Sequence, residues 1–197
     1  MKRYKNKLYV LLGEAASGKD FLFKEIVKHN ILKPIISTTT RKARENEDSN
    51  TYNFVDNMTF NLMDAKDEFL EKTSYIIPSE GLVKYGTNKL DLQLDKYGQI
   101  AIVNPDGMKQ LEESLGKENI VSFYIYRDPA DRIASYLKRD NRNFDKLFDD
   151  CIERYNRDKE DFRGIPEKVN HVLNNDGTLY DLFAQFTEIV NQESNNR

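Results

Sequence analysis

The chain has 197 residues, 39% of them hydrophobic and 32% charged, with a formal net charge of −3. That length suits one domain with a sizeable core, and the charge balance argues against a nucleic-acid-binding surface. No apolar run approaches the roughly 18 residues of a membrane span. Cys151 is the single cysteine, which rules out an internal disulfide and points to a reducing compartment, with the cytoplasm as the expected location.

Read in chain order, the start "MKRYKNKLYVLLG" is basic and then apolar, but its apolar run stops at Gly13. It reads as a strand over Leu8–Leu12, buried on both faces, and not as a signal peptide. A glycine-containing loop follows. Phe21, Leu22, Ile26 and Val27 then recur at helical spacing up to His29-Asn30. Further buried-strand runs stand at Ile35-Ile36, Ile100–Val103, Ile120–Tyr126 and Val169–Leu173. Asp128-Pro129 supplies an N-cap and a first-position proline for a helix running toward Arg139. Helical patterns also cover about 145–162 and 178–191. Strands alternating with helices predict an α/β fold, a five-stranded parallel sheet with helices on both faces. Residues 38–97 break the alternation. They are polar, with strand-like pieces at Tyr52–Val55 and Ser74–Ile77, and read as an insert in one domain spanning 1–192 (core 7–37 and 98–192). Residues 193–197 read as a disordered tail.

The chemistry starts at "GEAASGKD", residues 13–20. Gly13, four residues, Gly18 and Lys19 have the spacing of a phosphate-binding loop, set between a strand and a helix as that loop requires. Backbone N–H groups and a helix N-terminus surround phosphates there, and the lysine adds a point charge. The expected nucleotide-binding residues are Gly13, Glu14, Ala15, Ala16, Ser17, Gly18, Lys19, Asp20 and Phe21. Position 20 departs from the pattern. Ser or Thr normally stands there to hold Mg²⁺, and a carboxylate beside phosphates is repelled unless a cation lies between them. Asp20 is therefore a candidate metal ligand; the alternative is an acid that complements the helix dipole.

"STTTRKAR", residues 37–44, gives two arginines three apart within a run of hydroxyls, a fork suited to a dianionic phosphate. A solvated basic loop paired with Glu45, Glu47 and Asp48 is the plainer reading of those residues alone. The stretch resembles the S-[ST]-T-T-R-x-x-R signature of guanylate kinases, at the family's distance behind the phosphate-binding loop. The resemblance runs from about residue 7 to 180. It implies a P-loop nucleoside monophosphate kinase fold, with 38–97 as an acceptor-binding insert and a lid near 138–155. It also implies ATP-dependent phosphorylation of GMP or dGMP, with Mg²⁺ as cofactor and nucleotides as partners, in a monomer or homodimer without nucleic acid or membrane.

By the same resemblance, the acceptor phosphate falls to Ser37, Arg41, Arg44, Tyr52 and Tyr85, guanine to Glu71 and Thr87, and a further acceptor contact to Asp106. Lys19, Arg41, Arg139 and Arg154 are the expected catalytic groups, within a basic cluster that also holds Arg127, Arg132, Lys138, Arg142 and Arg157. Asn175, in "NND", is expected near the adenine. Two departures bear on this assignment. The Glu71–Tyr85 spacing is longer than the family's, with Glu80 as the second candidate for base reading. And Asn104 stands where the family has an Asp near the metal, so the metal carboxylate could have moved to Asp20, with Asn104 a lesser candidate. A same-fold kinase for another nucleotide or a phosphorylated sugar, a silent binding module and a nucleotide sensor all remain open at this point.

Overall fold

The computed structural model describes residues 7–43, 52–77, 80–138 and 144–195. Its centre is β1 (Leu8–Leu12), every residue of which is buried. β1 pairs in parallel with β7 (Gln99–Ile102) on one side and β8 (Ile120–Tyr126) on the other. β2 (Lys33–Pro34) extends the sheet beyond β7, and β9 (His171–Asn174) beyond β8, giving the order β2-β7-β1-β8-β9, all parallel. Alternate residues of β1 feed two cores. Tyr9 and Leu11 join Leu22 and Ile26 of α1 (Lys19–Lys28) and Leu182 and Phe186 of α6 (Leu179–Asn195). Leu8, Val10 and Leu12 join Met108 and Leu111 of α3 (Pro105–Leu115), with Phe162 and Ile165. The continuous apolar run of β1 is thus what a strand covered on both faces requires.

Two ladder positions differ from the sequence expectation. Ile35 still bonds Ile100 O through its N–H at 2.8 Å, but the paired residues of β2 are Lys33 and Pro34, just before the apolar dipeptide. β9 begins at His171 because Asn170 is used otherwise: its Oδ1 accepts the Ser122 N–H at 2.8 Å and its own N–H donates to Ser122 Oγ at 3.0 Å.

A second sheet has the order β4-β3-β6-β5, from β3 (Thr38–Thr39), β4 (Asn53–Phe54), β5 (Phe69–Ile77) and β6 (Gly81–Asn88). Residues 38–97 contain all four strands. They also contain α2 (Asn57–Ala65), a helix the sequence pattern did not announce. Only Phe60 of α2 is buried, stacked on Phe69 at 4.5 Å, while Met58 and Leu62 are exposed, so no apolar stripe marks it. The helix is set instead by Asp56, whose carboxylate accepts the Thr59 N–H at 2.7 Å.

α4 (Pro129–Leu137) starts as expected, with Asp128 accepting the Ala130 N–H at 2.8 Å. α5 (Phe144–Asp161) follows. α6 continues through Asn195, so the stretch read as a disordered tail from 193 is helical for its first three residues. The last turn of an amphipathic helix, held by Val190 in the core, extends into polar sequence that gives no helical signal of its own. Among the described residues no helix is long and apolar enough to cross a membrane.

Candidate active site

The loop after β1 lies at the carboxyl end of the central strand, where the chain's successive connections turn to opposite sides of the sheet. Open α/β sheets bind ligands at that point. Its tightness is explicit at two glycines. A Cβ on Gly13 would lie 2.5 Å from Ser17 Oγ and 2.9 Å from Ile125 O. Gly18 has φ +107°, and a Cβ there would lie 2.5 Å from Asn175 Nδ2. Gly18 caps α1 without a side-chain hydrogen bond of its own. Lys19 Nζ donates to Glu14 O at 3.0 Å, across the loop.

Other elements hold the loop in shape. Glu14 turns its carboxylate onto Tyr124, whose hydroxyl donates to Oε2 at 2.7 Å, with Arg132 Nη2 3.7 Å from Oε1. Arg127 Nη1 donates to Ala16 O at 3.1 Å. Asn175 is buried, and its Nδ2 donates to Ser17 O at 2.8 Å. Asp158 of α5 is also buried; its Oδ2 accepts the Ala15 N–H at 2.6 Å and its Oδ1 lies 2.7 Å from Arg154 Nε. Arg127 and Arg132, placed by sequence in a basic lid cluster, thus support the loop's own backbone and side chains.

A cavity of about 390 Å³ opens from this loop. Gly13, Ala15, Lys19 and Asp20 form one wall, Ser37, Arg41, Tyr52 and Tyr85 another, and Asp150, Glu153, Arg154 and Arg157 of α5 a third. Glu71, Thr73 and Tyr75 of β5 line it together with Asn104. Arg41 is buried with its guanidinium 5.3 Å from the Tyr52 ring centroid and 5.5 Å from that of Phe54, and its Nη1 donates to Lys42 O at 2.7 Å. Glu71 is buried and accepts the Thr87 hydroxyl at 2.7 Å. Burial pushes its carboxyl up to about 7; the Thr87 bonds hold it down and the nearby Asp106 charge adds to the rise.

The longer Glu71–Tyr85 spacing leaves this pair in place. Glu71 faces Thr87 across the β5–β6 ladder, and the extra residues lengthen the hairpin beyond it. Glu80 sits exposed near the hairpin tip, where its Oε2 accepts the Lys42 N–H at 3.3 Å, and it does not line the cavity.

The Guanylate kinase family profile matches residues 5–192. The chain belongs to the guanylate kinase family. It is 35% identical over 77 residues to the guanylate kinase of Thermus thermophilus, a match covering 39% of this chain and about a third (34%) of that relative. The fold is that of the guanylate kinase from Anaplasma phagocytophilum, with a TM-score of 0.70 at 18% identity over 98% of this chain and 89% of the other.

Of the residues expected from the sequence, Gly13, Ala15, Lys19, Asp20, Ser37, Arg41, Tyr52, Glu71, Tyr85, Asn104 and Arg154 come together on the one cavity. Thr87 stands behind Glu71 as its hydrogen-bond partner. Arg44, Arg139 and Arg142 lie outside the described residues. Asp106 occupies the first turn of α3, exposed, where it accepts Gln110 Nε2 at 2.8 Å, and it is not part of the cavity wall. Phe21 packs edge-on against Tyr180 at 6.1 Å.

Asn104 lines the cavity and is tied into the fold by its hydrogen bonds. Its Oδ1 caps α3 by accepting the Gly107 N–H at 2.8 Å, so its Nδ2 faces Thr73 and Tyr75 as a donor. Sequence reasoning missed Tyr75 and Asp158. Asp158 stands four residues after Arg154, an i,i+4 spacing that could have signalled the pair.

Proposed function

We propose that the protein transfers the γ-phosphoryl group of ATP to a nucleoside monophosphate, with GMP (or dGMP) as the acceptor. The observation that carries this reading is the buried Glu71–Thr87 pair, with Glu71 lining the same cavity as the phosphate-binding loop. Guanine presents N1–H and N2–H₂ together, and an ionised carboxylate accepts both, whereas adenine offers no such pair of donors. The polar groups of that pair would be left unpaired by any base that cannot match them, which is how a buried site rejects the wrong ligand.

In this reading the loop N–H groups, the α1 N-terminus and Lys19 hold the ATP phosphates. Ser37, Arg41, Tyr52 and Tyr85 hold the acceptor phosphate, with Arg44 as a further ligand by family resemblance. An oxygen of that phosphate attacks the γ-phosphorus as the bond to the β–γ bridging oxygen breaks, and ADP leaves. No side chain forms a covalent intermediate. Catalysis is positioning plus charge neutralisation, for which Lys19, Arg41 and Arg154 are the groups at hand, with Arg139 as a candidate from the lid.

Among the described residues no cluster of three acidic, His or Cys side chains could hold a metal unaided. Mg²⁺ needs no such cluster, because it keeps several waters and takes substrate phosphate oxygens alongside one or two carboxylates. Asp20, exposed at the lip of the cavity next to Lys19, fits that role, and Mg²⁺ bound there would neutralise phosphate charge. Steady-state ADP release with Mg²⁺-ATP against a panel of ribo- and deoxynucleoside monophosphates tests the reading. Turnover confined to GMP and dGMP is expected. Turnover with another acceptor would reassign the base site, and none at all would leave a binding module.

A further inference from the structure

The β5–β6 hairpin continues past the Glu71–Thr87 pair, and strand alternation turns Thr73, Tyr75 and Ile77 to the cavity with Lys72, Ser74 and Ile76 on the other face. Tyr75 is where this extension meets α5. Its ring centroid lies 5.3 Å from Arg154 Cζ and 4.6 Å from Arg157 Cζ. Its hydroxyl accepts a hydrogen bond from Asn104 Nδ2, an amide whose orientation is fixed by its capping bond to Gly107. Arg157 Nη1 also donates to Ile76 O at 3.0 Å, tying the helix to the backbone of the hairpin. Arg154 also forms an ion pair with Asp158, whose Oδ1 lies 2.7 Å from its Nε.

An arginine on a helix surface samples many rotamers, and a phosphate can use it only where its fork is presented. An aromatic face restricts the guanidinium through its π surface and leaves the N–H groups in the guanidinium plane for oxygen acceptors. Asp158 Oδ1 lies 2.7 Å from the stem end of the group at Nε, and the Tyr75 ring centroid 5.3 Å from its Cζ. We propose that Tyr75 is a positioning residue for Arg154, through which the extended acceptor hairpin holds the arginine of the lid helix at the transferring phosphate. The proposal rests on the role given to Arg154 above. It makes the hairpin extension part of the catalytic apparatus and gives Asn104 the task of anchoring the tyrosine.

The test is a double-mutant cycle read as kcat and KM with Mg²⁺-ATP and GMP. Tyr75→Leu lowers kcat about tenfold while both KM values stay within about twofold, as expected of a small misplacement of a charge-stabilising group. Tyr75→Phe, which keeps the ring face, retains most of kcat. In an Arg154→Met background Tyr75→Leu has no further effect, whereas in an Arg157→Met background its effect persists. A kcat loss that is undiminished without Arg154, or a rise in GMP KM with kcat unchanged, overturns the proposal. A second readout needs no turnover: the Nε–Hε resonance of Arg154, identified by its disappearance in Arg154→Lys. Its ring-current shift is lost in Tyr75→Leu and kept in Tyr75→Phe; an unmoved resonance in Tyr75→Leu overturns the positioning role. A parent enzyme that does not turn over GMP would sink the proposed function, and the resonance would still decide the role of Tyr75.

Discussion

Glu71 combines burial with a hydrogen bond from Thr87, and the two act in opposite directions on its carboxyl, with burial prevailing and pushing it up to about 7. Guanine needs the ionised form. A carboxyl that is half-protonated near neutrality therefore makes GMP binding depend on pH, in the sense that affinity falls as pH falls below about 7. From pH 8 to pH 6 the KM for GMP is expected to rise about tenfold through Glu71 alone. The acceptor's own phosphate titrates near 6, so the comparison that isolates Glu71 is the same profile measured in Glu71→Gln, which should keep only the phosphate's contribution. The unliganded protein has the matching signature. Because the folded carboxyl holds its proton to higher pH than the unfolded one, stability contributed by Glu71 declines as pH climbs from the ordinary glutamate range toward 7. Identical GMP profiles in parent and Glu71→Gln would remove the residue from base recognition.

Asp20 is the other residue whose meaning depends on charge. As a Mg²⁺ ligand it makes Asp20→Asn require about tenfold more Mg²⁺ for half-maximal rate, with kcat at saturating Mg²⁺ largely restored. As a mere helix-end acid it would leave the Mg²⁺ dependence of the parent. Titrating initial rates with Mg²⁺ at fixed ATP separates the two.

At the scale of elements, α5 is joined to the phosphate-binding loop by one buried side chain. Asp158 accepts the Ala15 N–H and lies against Arg154 Nε. Replacing one partner of such a buried pair strands the other charge, so Asp158→Asn is expected to lower the free energy of unfolding by about 3 kcal/mol, measured by urea denaturation. A loss under about 0.5 kcal/mol, the size of an exposed pair, would mean that solvent already relieves this contact.

The elements also differ in how far their sequence announces them. β1 and β8 are legible because both faces are covered, so that β1 is apolar throughout and β8 is interrupted only by Ser122. β5 is covered on one face only, with Lys72, Ser74 and Ile76 exposed, so only its last part, Ser74–Ile77, stood out and its start was obscured. α2 buries one phenylalanine and shows no stripe. The phosphate loop was readable because glycine spacing and flanking elements dictate it. The partners of Asn104 were not readable, because they come from a strand some thirty residues away (Thr73 and Tyr75) and arise from tertiary placement.

Across the whole molecule, a chain of net charge −3 brings Lys19, Arg41, Arg154 and Arg157 to one cavity between the parallel sheet, the second sheet and α5. Asp20, Glu71, Asp150 and Glu153 line the same cavity, so the site is not a general anion trap. In the proposed reading the cations serve the phosphates, and Glu71 with Thr87 serves the base, so that guanine is selected and not only a nucleotide bound. The measurement that reaches this claim most directly is kcat/KM for GMP and for AMP, with Mg²⁺-ATP as donor, in the parent and in Glu71→Gln. The account predicts strong preference for GMP in the parent. Glu71→Gln, which sets a donor against the guanine donors, should lose roughly 100-fold or more in kcat/KM for GMP while the KM for ATP stays near the parent's value. A parent that turns over AMP as readily as GMP, or a variant with undiminished preference for GMP, would contradict it.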